Sequence, residues 1–139
     1  MPSTPPPEGA VRVLIADDHR LFAESVRAAL SEDERIDVIG IAYNGHEAVE
    51  LALELRPDVI LMDLKMPLLD GFEATRMLRE ARSETQVLIL TGTDEAIGAD
   101  DAALAGASGY VRKEQSIADL KRVFLEVASL AAVLGHSSR

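Results

Sequence analysis

Apolar and polar positions alternate along this chain in two rhythms. VRVLIA at 11–16, IDVIGIA at 36–42, DVILM at 58–62, QVLIL at 86–90 and GYVR at 109–112 are short and mostly rich in aliphatic, β-branched residues, which is the pattern of buried strands. The stretches between them carry a helical period instead. Phe22, Val26 and Leu30 recur four apart within 19–31. Asn44, with Glu47 three positions later, predicts a capped helix that runs to about Arg56 and stops before Pro57. A loop holding Pro67 and Gly71 leads into a third helix ending near Ala81. The last helix is the best defined: Ser116 and Asp119 predict its cap, its stripe is Ile117, Leu120, Val123, Phe124, Val127, Leu130 and Leu134, and Gly135 predicts its end. The fourth, over 94–107, is weak. It holds Gly98, Gly106, four acidic residues and six alanines, so its apolar stripe is thin and its glycines lower its intrinsic stability.

Five strand–helix units in strict alternation predict one α/β domain. Continuous apolar strands are buried on both faces, so helices must cover both sides of a parallel sheet. Right-handed crossovers with one reversal of winding then place a ligand crevice beyond the carboxyl ends of the strands. Five polar residues stand at those ends: Asp17 and Asp18 after the first apolar run, Asp63 after the third, Thr91 after the fourth and Lys113 after the fifth. Brought to one edge, they assemble three carboxylates, a hydroxyl and an ammonium, the ingredients of a metal and phosphoryl site.

Composition narrows the field of functions. The chain has 139 residues, 47% of them hydrophobic, enough for one domain with a sizeable core. The absence of cysteine rules out disulfides and thiolate zinc sites. Residues 1–10 hold four of the six prolines and neither the basic nor the apolar part of a signal peptide. They read as a disordered lead-in, with the domain over 11–134 and a tail over 135–139. No apolar run approaches membrane-spanning length. A formal net charge of −10 disfavours contact with phosphate backbones. These points together predict a cytoplasmic domain that binds neither membrane nor nucleic acid by itself.

The stretches ADDH at 16–19, MDLKMP at 62–67 with Asp70 and Gly71, LTG at 90–92 and GASGYVRK at 106–113 resemble a response-regulator receiver domain of two-component systems. The last stretch, with glutamate and no proline after Lys113, is most similar to the receivers of LuxR/NarL-type regulators. The resemblance implies a flavodoxin-like doubly wound sheet of five parallel strands in the order 2-1-3-4-5, with five helices. It implies phosphoryl transfer from a sensor histidine kinase to Asp63. Mg²⁺ would be held by the Asp17/Asp18 pair, Asp63 and the backbone carbonyl of Lys65, with Thr91 and Lys113 on phosphoryl oxygens. It also implies that Tyr110 turns inward after phosphorylation and alters the face of the fourth helix, fifth strand and fifth helix, through which copies self-associate. Such a protein is a switch that promotes its own phosphorylation and dephosphorylation rather than a turnover enzyme. The alternative is the receiver portion of a LuxR-type DNA-binding regulator whose output domain lies outside this chain.

Much of this can be argued from chemistry alone. A carboxylate is ionised at neutral pH and attacks phosphorus without a general base. Three packed carboxylates repel one another, which a divalent cation relieves, and Mg²⁺ suits an all-oxygen site. Each residue singly has a duller role: an acidic pair after a strand is commonly a turn, a threonine fits β geometry, a lysine lies on the surface and Tyr110 is a half-buried aromatic. Their ordered joint occurrence outweighs these. His19, His46 and His136 share no ligand spacing and are expected to serve neither as metal ligands nor as phosphoacceptors. Competing enzymes lack parts. There is no G-x-x-x-x-G-K-[ST] loop for a P-loop NTPase. A phosphatase of the haloacid-dehalogenase type needs a second aspartate where Lys65 stands. A flavodoxin-like cofactor site wants a phosphate-cradling loop where ADDH puts negative charge.

Overall fold

The computed structural model describes residues 9–92, 98–114 and 117–137, with side chains left aside at 99, 117 and 130–137. Five strands, β1 (Val11–Ala16), β2 (Ile36–Ala42), β3 (Val59–Asp63), β4 (Gln86–Thr91) and β5 (Gly109–Arg112), alternate with α1 (Arg20–Ser31), α2 (Gly45–Leu55), α3 (Gly71–Glu80), α4 (Ala99–Ala105) and α5 (Ile117–Ser137). All strand pairs are parallel and the order is β2-β1-β3-β4-β5. The doubly wound sheet expected from the apolar runs is therefore what forms. The winding reverses at β1, whose carboxyl end lies next to that of β3.

Alternation within each strand divides the core in two. Val13, Ile15, Val59, Leu61, Leu88, Leu90 and Val111 face α1 and α5, where Val26, Leu30, Leu120 and Phe124 meet them. Leu14, Ile60, Met62, Val87 and Ile89 face the opposite way, toward Ala48, Ala52, Ala74 and Leu78 of α2 and α3. Every residue of β3 is buried, whereas the edge strand β2 is half-buried along most of its length. β2 also carries an irregularity: its register with β1 skips Ile39 between the pairs Val13–Val38 and Leu14–Gly40, a bulge of the kind that twists an edge away from further pairing.

The opposite rim of the sheet, at the amino ends of the strands, is tied by structural hydrogen bonds. Arg12 N–H donates to Asp58 Oδ2 at 2.8 Å and its guanidinium to the carbonyl of Arg56 at 3.0 Å. Thr85 Oγ1 donates to the carbonyl of Pro57 at 2.8 Å. Arg79 donates to the carbonyls of Ser83 and Thr85. Its aliphatic stem lies beneath Gly106, which closes α4 at φ +95°, a conformation where a Cβ would also strike Arg79 Cγ.

Helix ends depart from expectation in three places. Asn44 Oδ1 accepts from Glu47 N–H at 2.9 Å as expected, but Glu47 returns its carboxylate to Tyr43 N–H at 3.0 Å. Gly135 does not end α5, which continues to Ser137; a glycine inside a helix costs only about 1 kcal/mol. The capping box forms instead at Asp70 and Glu73. The expectations for residues 1–8, for 94–97 of the fourth helix and for the cap at Ser116 lie outside the described residues, and α4 proper is Ala99–Ala105.

Candidate functional site

The strands carry the five polar residues to one edge of the sheet. Asp17 follows β1, its N–H donating to the carbonyl of Ala42 at 2.9 Å, and Asp63 is the last residue of β3. Thr91 is the last residue of β4, and the N–H of Lys113 donates to its carbonyl at 2.8 Å. The side chains of Asp17 and Thr91 are fully buried and Asp63 is 2% exposed. Asp18 is the exposed member of the acidic pair.

Lys113 lies between the two buried carboxylates. Its Nζ is 2.8 Å from Asp17 Oδ2 and 3.3 Å from Asp63 Oδ2, and it also sits 4.8 Å from the centroid of Phe22. These oxygens hold the ammonium as ion pairs, and among the described residues neither has an aligned hydrogen bond. Burial raises the Asp63 carboxyl to about 7, with the charge of Asp17 adding to the rise and Lys113 opposing it. Burial alone would lower the Lys113 ammonium, but the two carboxylates outweigh it and hold it above its usual value. Thr91 Oγ1 is buried with no hydrogen-bond partner among the described residues, an arrangement that normally costs stability.

The turn after β3 shapes the mouth. Leu64 N–H donates to the carbonyl of Leu90 at 2.9 Å, and Gly71 N–H to that of Leu64 at 2.7 Å. Gly71 is required by proximity: a Cβ there would lie 2.5 Å from the carbonyl oxygen of Asp63. Lys65 stands in this turn with its side chain exposed. Leu68 adopts φ +72° and is 83% exposed. Tyr110, paired with Ile89 across β4 and β5, is half-buried against the core on the α2/α3 side.

One residue set aside in the sequence belongs to the cluster. His19 stands at the N-cap position of α1 without a side-chain capping bond, its N–H donates to Asp17 Oδ1 at 2.8 Å, and its Nδ1 is 3.2 Å from Asp17 Oδ1, 3.6 Å from Asp18 Oδ1 and 3.3 Å from Lys113 Nζ. One donor atom each from Asp17, Asp18, His19 and Asp63 lie within 4.8 Å of one another. The signal was available: His19 directly follows the acidic pair where the chain turns into the helix. A divalent cation fits this donor set, since the buried carboxylates of Asp17 and Asp63 converge with the exposed carboxylate of Asp18 at the rim.

Comparison with known proteins accords with this geometry. The family model for the response regulator receiver domain matches residues 13–124, and the chain belongs to that family. It is 36% identical over 124 residues to the transcriptional regulatory protein LnrK of Bacillus subtilis, covering 89% of this chain and 56% of LnrK. It is 44% identical over 119 residues to a protein-glutamate methylesterase/protein-glutamine glutaminase of Geobacter sulfurreducens, covering 84% of this chain and 33% of that protein. Among solved structures, the receiver domain of the response regulator NarL from Mycobacterium tuberculosis superposes with a TM-score of 0.81 at 35% identity, covering 86% of this chain and 97% of that one. The likeness to LuxR/NarL-type receivers expected from the motifs thus holds. The chain spans about half the length of the first curated relatives it matches.

Proposed function

We propose that this receiver takes a phosphoryl group on Asp63 from the phosphohistidine of a sensor histidine kinase, in a Mg²⁺-dependent reaction. The observation that carries this reading is the buried carboxylate of Asp63, flanked by Asp17 and Lys113 and at the same strand edge as the hydroxyl of Thr91, which has no hydrogen-bond partner among the described residues. In the transfer, an Asp63 oxygen forms a bond to phosphorus as the phosphorus–nitrogen bond breaks. The imidazole leaves with the electron pair and is protonated. The ammonium of Lys113 and the hydroxyl of Thr91 bind the transferred oxygens, where charge is spread in a loose transition state. Asp17, Asp18, Asp63 and the carbonyl of Lys65 would hold Mg²⁺, which supplies positive charge against the incoming phosphoryl group. Exposed Leu21 at the start of α1 and Leu68 in the turn after β3 offer apolar contacts to a docked partner.

Phosphorylation then biases an existing equilibrium. Tyr110 moves inward as Thr91 engages the phosphoryl group, and the face of α4, β5 and α5 changes, opening self-association. The domain acts in the cytoplasm as a switch rather than a turnover enzyme and makes no nucleic-acid contact of its own. A second reading, favoured by the chain's spanning about half of its transcriptional relatives, is that it is the receiver portion of a LuxR-type DNA-binding regulator. The central test is incubation with acetyl phosphate, with and without Mg²⁺, followed by intact mass. One added phosphoryl group that needs Mg²⁺ and is lost in Asp63→Asn is expected; an Asp63→Asn variant that is modified like the wild type would sink the assignment.

A further inference from the structure

The turn that follows Asp63 is held from two sides, and one of them lies outside it. On the near side, Gly71 N–H donates to the carbonyl of Leu64 at 2.7 Å and Leu64 N–H to that of Leu90 at 2.9 Å. On the far side stands Gly45, the buried first residue of α2. A Cβ there would lie 2.6 Å from the Cβ of Leu69 and 2.8 Å from its carbonyl carbon, closer than packed carbons approach. The backbone after β3 therefore rests on the first turn of α2, and only glycine leaves it room.

That seat is firm. Asn44 Oδ1 accepts from Glu47 N–H, the Glu47 carboxylate accepts from Tyr43 N–H, and the Arg20 guanidinium lies 4.0 Å from the centroid of the Tyr43 ring. Leu68 shows the constraint. It holds φ +72°, which bulky residues avoid and which persists only where the surroundings over-determine it. Its own side chain is 83% exposed and supplies no such hold. The neighbouring Leu69 does, packed against the core on the α2/α3 side and against Gly45. We propose that Gly45 is a positioning residue for phosphoryl transfer: through Leu69 it fixes the turn over 64–70 and so aims the Asp63 carboxylate. The proposal rests on Asp63 as the phosphoacceptor and adds what orients it. In-line attack tolerates little displacement, and a misplacement of about 1 Å costs on the order of 10²-fold in rate.

Gly45→Ala, Asn44→Ala and Gly40→Ala test this beside wild type and Asp63→Asn. Gly40 is the control, since a Cβ on it would meet only Leu14 Cδ1 at 3.5 Å, an ordinary contact. Each full chain is incubated with acetyl phosphate and MgCl₂, and the rate is expressed per folded molecule at saturating and at limiting donor. In Gly45→Ala the saturated rate is expected to fall about 10–10²-fold. kcat and kcat/KM should fall together, as for an interaction that matters in the transition state alone. Asn44→Ala, which loosens the first turn of α2, should slow the reaction several-fold, and Gly40→Ala should leave it unchanged. Amide exchange at Leu64 and Gly71 should quicken in Gly45→Ala and Asn44→Ala more than exchange in β1 does. Where Gly45→Ala does not fold, Asn44→Ala decides. Lost stability with an unchanged rate per folded molecule, or exchange at Leu64 and Gly71 that quickens no more than in β1, overturns the proposal while leaving Asp63 as the acceptor. A wild type that takes up no phosphoryl group, or an Asp63→Asn variant that still does, removes the reading of Asp63 and the proposal with it.

Discussion

At the scale of residues, the pocket stores its chemistry as unfavourable burial. Asp63 is an acid whose folded carboxyl is raised from 3.8 to about 7, so the sign of its effect on stability follows by linkage. Below about 4 it is protonated in folded and unfolded chains alike. Between about 4 and about 7 the unfolded chain has released the proton that the folded chain keeps, so this group's contribution falls as pH rises through that window. Urea denaturation in EDTA at several pH values should show the decline, and Asp63→Asn should flatten it; equal slopes in both proteins would refute the assignment. Thr91 makes a second case. Its buried hydroxyl has no partner among the described residues, so Thr91→Ala should leave the midpoint of thermal unfolding unchanged or slightly raised. The same change should slow phosphorylation by acetyl phosphate about 10²-fold, the usual cost of one lost donor to developing charge. The identities of Asp17, Asp18, Asp63, Thr91 and Lys113 were legible because each ends or follows an apolar run. His19 was harder to read: it directly follows the acidic pair, but whether its ring returns to the pocket depends on how the chain turns from β1 into α1, and that turn leaves no periodic trace.

At the scale of elements, the strands were the most legible part. β1, β2 and β5 have the bounds expected from their apolar runs, β4 extends one residue further, to Thr91, and β3 is displaced by one, leaving out Asp58 and taking in Asp63. Polar side chains at a strand end break the hydrophobic pattern without breaking the hydrogen-bond ladder. Helix ends were harder to read, since Gly135 is a natural terminator that α5 passes through and Glu47 answers Tyr43 rather than Asn44. α3 is placed by contact more than by propensity. Gly71→Ala should therefore push α3 from the end of β3 and destabilise the domain by about 1–3 kcal/mol, the usual range for overpacking, measurable by urea titration. α5 is held through Phe124, fully buried in the core cluster it shares with α1. Phe124→Ala should cost about 3–5 kcal/mol, and a loss under 1 kcal/mol would mean that α5 is not anchored there.

At the scale of the whole molecule, the sheet separates support from chemistry. An ion that binds the folded pocket and not the unfolded chain stabilises the whole domain by mass action. Added MgCl₂ should therefore raise the thermal midpoint of wild type by an amount that grows with concentration, and Asp17→Asn should lose most of that rise. The α/β class, the parallel sheet and the edge that carries the site followed from alternation and from the handedness of crossovers, and the strand order from the resemblance to receiver domains. The Ile39 bulge and the seating of Arg79 beneath Gly106 did not, since both depend on how distant segments meet. The rim bound by Arg12, Asp58, Arg56, Pro57 and Thr85 holds none of the site residues. That makes it a natural frame of reference for spectroscopy. A spin label at exposed Glu84, paired with another on α4 or α5, tests the proposed switch: phosphorylation is expected to change the distance between them, and an unchanged distance would count against it, while the pocket stays unlabelled.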